Sequence, residues 1–168
     1  LGTDTLGSRS TAVGYSSLAT QNYTTATNGY NVAIGYGAGG NTTTGVQNTL
    51  TGSLSGNSLT DADYNVAMGH AALTTDTKGS RSVAVGYSAL NAQNFTTATD
   101  SYNVAVGSNA GVSITTGKQN VLMGGLAGDN LTDADYNTAV GMHALGTDTL
   151  GSRSTALGFS ALITQNHT

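Results

Sequence analysis

The chain repeats itself every 72 residues, and that period limits what it can fold into. Leu-Gly-Thr-Asp-Thr-Leu-Gly-Ser-Arg-Ser at Leu1 to Ser10 returns at Leu145 to Ser154, and as Leu-Thr-Thr-Asp-Thr-Lys-Gly-Ser-Arg-Ser from Leu73. A shorter beat runs inside it, marked by Gly14, Gly35, Gly52, Gly69, Gly86, Gly107, Gly124, Gly141 and Gly158 in steps of 21, 17, 17, 17 and again 21, 17, 17, 17. Four residues before each of these glycines stands Asn or Ser, two before it Ala or Leu, and three after it Ala or Ser. A unit this short cannot bury its own apolar face, so stacking of like units is required.

Each run such as Asn31-Val32-Ala33-Ile34-Gly35 reads as a short strand, because β-branched residues favour the pleated backbone and Gly permits the corner that follows. The unit is strand, turn, second short extended piece and polar loop. The repeat positions expected to build the stack are Asn31, Ala33, Ile34 and Gly35, with Asn65, Ala67 and Gly69, then Asn103, Ala105 and Gly107, then Asn137, Ala139 and Gly141. The fold class is all-β: a β-solenoid or parallel β-roll of about nine rungs of 17–21 residues. At a strand spacing of ~4.8 Å the rod would be on the order of 40 Å long. We read 1–168 as a single repetitive segment with super-repeats 1–72, 73–144 and a partial 145–168, an excerpt of a longer fibre because neither end shows a cap.

Composition closes off other classes. Charged residues make up 8%, all nine acids are Asp, and Glu, Pro, Cys and Trp are absent. Thr, Asn, Ser and Gly dominate in place of good surface-helix formers, which argues against solvated helices. Without Cys there is no disulfide framework or thiolate metal site. Five scattered Lys and Arg at net charge -4 do not make a phosphate-binding stripe, so nucleic acid is not an expected partner. No stretch approaches the roughly 20 apolar residues of a membrane helix, so the segment is not expected to insert in a membrane.

Alternation along each strand sends the Ala or Leu one way and the flanking Val, Ile or Met the other. The inside of a narrow 17-residue coil suits Ala, Ser and Gly. The face with Val32 and Ile34, Val83 and Val85, or Val104 and Val106 is then an apolar stripe without a partner in its own coil, and other copies of the chain are expected to cover it.

The Asn/Ser-Val-Ala-Ile-Gly run followed three residues later by Ala resembles the head repeats of YadA-like trimeric autotransporter adhesins. Asn31 to Gly39 and Gln47 to Leu50 are also similar to repeats in fibre proteins of tailed phages that infect marine cyanobacteria. The resemblance runs through all nine rungs, although the adhesin-head repeat is shorter than 17 residues and the 21-residue step is foreign to it. It implies a left-handed parallel β-roll, a homotrimer, and a non-catalytic structural fibre for attachment, extracellular on a cell surface or a virion. Its partners would be itself, a longer fibre, and a host-surface glycan or protein.

Sites for chemistry are sparse. His70, His143 and His167 have the repeat equivalents Met142, Ala71 and Tyr23 or Phe95, a drift that does not suit a catalytic histidine, and no cofactor motif is present. Asp61 with Asp63, and their copies Asp133 with Asp135, are weak Ca²⁺ candidates on extended loops, set against ordinary turn chemistry. Arg9, Arg81 and Arg153 each follow Asp4, Asp76 or Asp148 by five residues, which suggests a loop-internal ion pair. The four-residue expansions from Gln21 to Tyr30 and from Gln93 to Tyr102 are expected to bulge outward. Tyr23, Phe95 and His167 are therefore candidate surface contacts, set against rings that fold back over an apolar seam. A Thr-rich ice-binding solenoid and a polysaccharide-binding or -cleaving solenoid are the alternative functions.

Overall fold

The computed structural model describes residues 1–2 and 4–167 as one stack of parallel rungs. Its short strands are β1 (Gly7–Ser8), β2 (Thr11–Val13), β3 (Thr27–Asn28), β4 (Val32–Ile34), β5 (Thr49–Thr51), β6 (Val66–Met68), β7 (Gly79–Ser80), β8 (Val83–Val85), β9 (Thr99–Asp100), β10 (Val104–Val106), β11 (Val121–Met123), β12 (Thr138–Val140) and β13 (Thr155–Leu157). The nine three-residue strands form one sheet in chain order, β2-β4-β5-β6-β8-β10-β11-β12-β13. Every pairing is parallel and in register, so that Ala33 sits beside Leu50 and Leu50 beside Ala67. The remaining four strands pair two by two, β1 with β3 and β7 with β9, where the 21-residue rungs carry their extra chain. Among the described residues there is no helix.

The second extended piece expected after each Gly is a run of turns instead. The reason lies in the backbone. All 22 non-Gly and all 14 Gly residues with positive φ fall on four places in the rung: the phased Gly, the residues two and four after it, and the residue five before it. In the rung after Gly52 this turns successive N–H groups in different directions. Leu54 N–H donates back to Tyr36 O (2.8 Å), Ser55 N–H to Gly52 O within the rung (3.3 Å), and Gly56 N–H forward to Ala72 O (2.9 Å). A left-handed conformation costs a non-Gly residue roughly 1–2 kcal/mol, and it persists here because these inter-rung bonds over-determine it.

The interior is a column of small side chains. Ala33, Ala67, Ala84, Ala105 and Ala139 are fully buried in the strands, with Leu18, Leu73, Leu90 and Leu145 lying over them from the position four after the Gly. Two strands carry Leu50 and Leu122 instead, and there the covering position becomes Gly on both sides: Gly39 and Gly56 around Leu50, Gly111 and Gly128 around Leu122. A Cβ on Gly56 would lie 2.6 Å from Leu50 Cδ2. Volume is thereby held constant along the rod. On the opposite face of the sheet Ile34, Met68 and Met123 are 42%, 44% and 42% exposed.

The phased glycines are the least replaceable residues. Gly52 has φ 131°, and a Cβ there would come within 2.5 Å of the carbonyl oxygen of Gly69 in the next rung. Gly52→Ala is expected to lower unfolding free energy by about 3 kcal/mol or more in urea titration, because clash adds to backbone strain. Gly125→Ala, with nothing nearer than 3.9 Å and no positive φ, is expected to stay within about 0.5 kcal/mol of the parent.

Candidate functional site

The Asn or Ser four residues before each Gly points inward and ties rung to rung. Asn48 N–H donates to Asn31 Oδ1 (2.9 Å), Asn65 N–H to Asn48 Oδ1 (2.9 Å), and Ser82 N–H to Asn65 Oδ1 (2.8 Å). The amide nitrogens donate onward to carbonyls of the following rung: Asn31 to Gly45 O (2.8 Å), Asn48 to Ala62 O (2.8 Å), Asn65 to Gly79 O (2.9 Å). Asn103, Asn120 and Asn137 repeat the arrangement one super-repeat later. A side-chain amide thus does here what a peptide unit does in a sheet.

Ser replaces Asn at Ser10, Ser82 and Ser154, each followed by a rung with an inward Gln at Gln21, Gln93 or Gln165. Around the second of these, Gln93 Nε2 donates to Asp76 Oδ2 (2.5 Å) and to Ser82 Oγ (3.0 Å), and Gln93 Oε1 accepts from Asn103 Nδ2 (2.8 Å). Asp76, fully buried, also accepts from Gly79 N–H (2.9 Å) and Phe95 N–H (3.0 Å). At Asp148, burial works to raise the carboxyl. It is outweighed by the His167 N–H, the Gln165 amide, the His167 imidazole and the Gly151 N–H, which hold the group at about 2. Asp4 is lowered too, where burial is again the largest influence and is overcome by Gln21, Gly7 and further backbone donors.

This network corrects two expectations. Tyr23 and Phe95 are not surface contacts: they are 4% and 6% exposed. The ring turns in because the chain alternates from the inward Gln two residues earlier. The Tyr23 hydroxyl donates to Gly45 O (2.8 Å), and Gly29 and Gly79 leave the room that the Tyr23 and Phe95 rings fill. What the expansion exposes is Thr24, Thr25 and Ala26, and Thr96, Thr97 and Ala98. The His167 side chain is largely exposed, its Nδ1 lying 3.1 Å from Asp148 Oδ2. Nor do Asp4, Asp76 and Asp148 pair with the Arg five residues on, because inward amides already hold them.

The arginines instead join an outer ladder at the left-handed place five before each Gly, which reads Arg9, Tyr30, Gln47, Tyr64, Arg81, Tyr102, Gln119, Tyr136, Arg153. The Arg81 guanidinium stands 4.6 Å from the Tyr64 ring centroid and 5.9 Å from that of Tyr102, with Nε 3.0 Å from Asp100 Oδ2. Arg9 packs over Tyr30 and Arg153 over Tyr136. This ladder went unseen in the sequence, though its signal, a phase of five before the Gly, was present.

The paired carboxylates mostly tie one rung to its neighbour, and only Asp61 bonds within its own turn. Asp63 Oδ1 accepts from Val46 N–H (2.8 Å) and Asp135 Oδ1 from Lys118 N–H (2.7 Å). Asp61 accepts from Thr60 Oγ1 (3.1 Å), and Asp133 from Thr115 and Thr116 Oγ1 (2.6 and 2.7 Å), two hydroxyl bonds that lower its carboxyl. Burial raises Asp63. Among the described residues no group of three or more His, Cys, Asp or Glu is placed to hold a metal ion. His70 stacks on Tyr87, with ring centroids 5.5 Å apart and an 11° tilt. The remaining broad feature is the outward face of the nine-stranded sheet, an apolar stripe through Val13, Ile34, Met68, Val85, Val106, Met123, Val140 and Leu157 that Thr51 interrupts on the third strand.

Comparison with known families finds the YadA head domain repeat, in two copies, at residues 6–27. No curated protein and no solved structure matches the chain.

Two outcomes follow from the buried carboxylates. The folded Asp148 pKa lies below the ordinary 3.8, so its contribution to stability is fully present above pH ~4 and is lost as pH falls toward 2. A melting series from pH 7 to 2 should show that loss. Gln93→Glu would set a second carboxylate against Asp76 and force one of the pair to hold a proton. That variant is expected to reverse the trend, melting higher at pH 4 than at pH 7.

Proposed function

We propose, from the premise that the chain carries YadA-like head repeats, that it is a surface-displayed, adhesive fibre segment that works by shape and assembly rather than by chemistry. One observation carries this: nine rungs fill their interior with Ala and Leu and leave the other sheet face open and apolar on most strands, with Thr49 and Thr51 the break on the third. Exposed stripes of this extent belong to interaction surfaces. Burying that face against two further copies of the chain gives a homotrimeric rod whose polar edges, with the Thr-rich expansions and the Arg-Tyr ladder, look outward. A host-surface glycan or protein is the partner this surface would meet, outside the cell or on a virion.

Ice binding is not favoured, because exposed Thr pairs return only once in four rungs and form no flat two-dimensional array.

Sedimentation equilibrium tests the assembly. The parent chain is expected at three times 16.7 kDa, and the double variant Ile34→Asp, Met68→Asp at 16.7 kDa with its β-rich circular dichroism retained. Beads coated with the trimer should capture host cells, and beads coated with the variant should not. A parent chain that sediments as a monomer removes the assembly, and failure of the trimer to bind any cell or arrayed glycan removes the adhesive role.

A further inference from the structure

We infer that the 21-residue rungs present asparagine for N-linked glycosylation, at Asn22 and Asn94. The sequence holds the acceptor triplet Asn-x-Thr at Asn22-Tyr23-Thr24, Asn41-Thr42-Thr43, Asn94-Phe95-Thr96 and Asn130-Leu131-Thr132. A fifth, from Asn166, ends at Thr168, outside the described residues. In a chain this rich in Asn and Thr such triplets arise by composition alone, so the structure must distinguish them.

It separates them by the hydroxyl. A transferase needs the Asn carboxamide and the Thr hydroxyl together on an accessible side of extended chain. In the two expansions the middle residue is the ring that turns inward, Tyr23 or Phe95, and alternation then puts the Asn and the Thr outward together. Asn22, Thr24 and Thr96 are exposed, and among the described residues neither Thr hydroxyl nor the Asn22 carboxamide is engaged in a hydrogen bond. Asn94 is half-buried, and its Oδ1 accepts from Thr77 Oγ1 (3.2 Å) while its Nδ2 stays unengaged. The other two triplets are closed. Thr43 Oγ1 donates to Thr60 O (3.1 Å), Thr132 Oγ1 donates to Thr149 O (3.1 Å), and the Asn130 carboxamide donates to Gly146 O. The middle residues there, Thr42 and Leu131, are inward members of the core, but the following Thr is tied into the next rung.

The chemistry is a glycosyl transfer from a nucleotide sugar. The carboxamide nitrogen bonds to the anomeric carbon, the bond from that carbon to the phosphate oxygen breaks, the nucleoside diphosphate leaves with the electron pair, and the amide proton passes to a base on the transferase. Four rungs separate Asn22 from Asn94, so sugars would stand about 19 Å apart along one edge. On a rod with only 8% charged residues they would add hydration that charge does not supply.

The test treats the folded chain with UDP-glucose and a soluble asparagine glucosyltransferase and maps hexose by peptide mass. Hexose is expected on Asn22 and Asn94 and not on Asn41 or Asn130, with all four accepting it once the chain is heat-unfolded. Thr24→Ala should abolish modification at Asn22 and leave Asn94 unchanged. A folded chain that stays unmodified at Asn22 and Asn94 overturns the proposal, as does one that takes hexose equally at Asn41 and Asn130. Because the readout does not depend on cell binding or assembly, failure of the adhesive reading would leave this result standing, and the converse.

Discussion

Most backbone hydrogen bonds in this molecule run to the rung before or after, with turns closed inside each rung, and the fold rests on that dependence. Strands of three residues cannot hold a conformation alone, since fixing each backbone residue costs about 1–2 kcal/mol and a single rung has almost nothing to bury. The inner Asn ladder supplies the missing continuity. Its amide oxygen accepts the N–H of the next rung's Asn, and its amide nitrogen donates to that rung's carbonyl at Gly45, Ala62 or Gly79. Asn suits this role because it carries a peptide-like group on one methylene. Asp would lack the donor, and Gln would reach too far.

The same dependence explains why strained conformations are common here. Four left-handed residues per rung turn donors alternately toward the rung before and the rung after, so strain in one rung is relieved by bonds to two neighbours. Leu18, Leu73, Leu90 and Leu145 occupy such a place without any local preference for it, because their side chains are buried over the Ala column. Where Leu50 or Leu122 already fills that column, the place reverts to Gly. Packing decides between Leu and Gly, and the backbone conformation is the same in both.

What could be read from the chain follows the number of copies. The inward Asn or Ser, the inward Ala or Leu and the cornering Gly occur nine times each, so accidents at single positions cancel and rung, register and inner face were all legible. The expansions occur twice, and their loops gave no anchor from which to count alternation. The sequence therefore left Tyr23 and Phe95 open between a surface contact and a ring folded back, and the inward Gln two residues before sends them in. Asp76 and Arg81 looked like a pair because opposite charges stood five apart. The carboxylate's partners are in fact amides brought together by stacking, and stacking is invisible to a local reading. The Arg-Tyr ladder escaped for a related reason: its members share a phase but no residue type.

The position seven after each Gly shows how interchangeable rungs can still specify one register. Inside the rod this column reads Gln21, Thr42, Leu59, Asp76, Gln93, Ile114, Leu131, Asp148, and all eight are buried. Asp76 lies directly before Gln93 and accepts its amide, and Asp148 lies directly before Gln165 and does the same. Shifting one rung's loop by a residue or two against the next would take the Asp carboxylate from the Gln amide, orphaning groups at about 1–3 kcal/mol each and more for the carboxylate. The apolar members alone would tolerate such a shift better, because Leu59, Ile114 and Leu131 have no directional bond to lose. A buried polar pair once in four rungs therefore gives a repetitive stack a phase, in the way that a single buried Asn fixes register in a coiled coil. The 72-residue period is the spacing of those phase marks, and the expanded rung accompanies each one because Gln, Ser and the inward ring need the extra chain to close around the carboxylate.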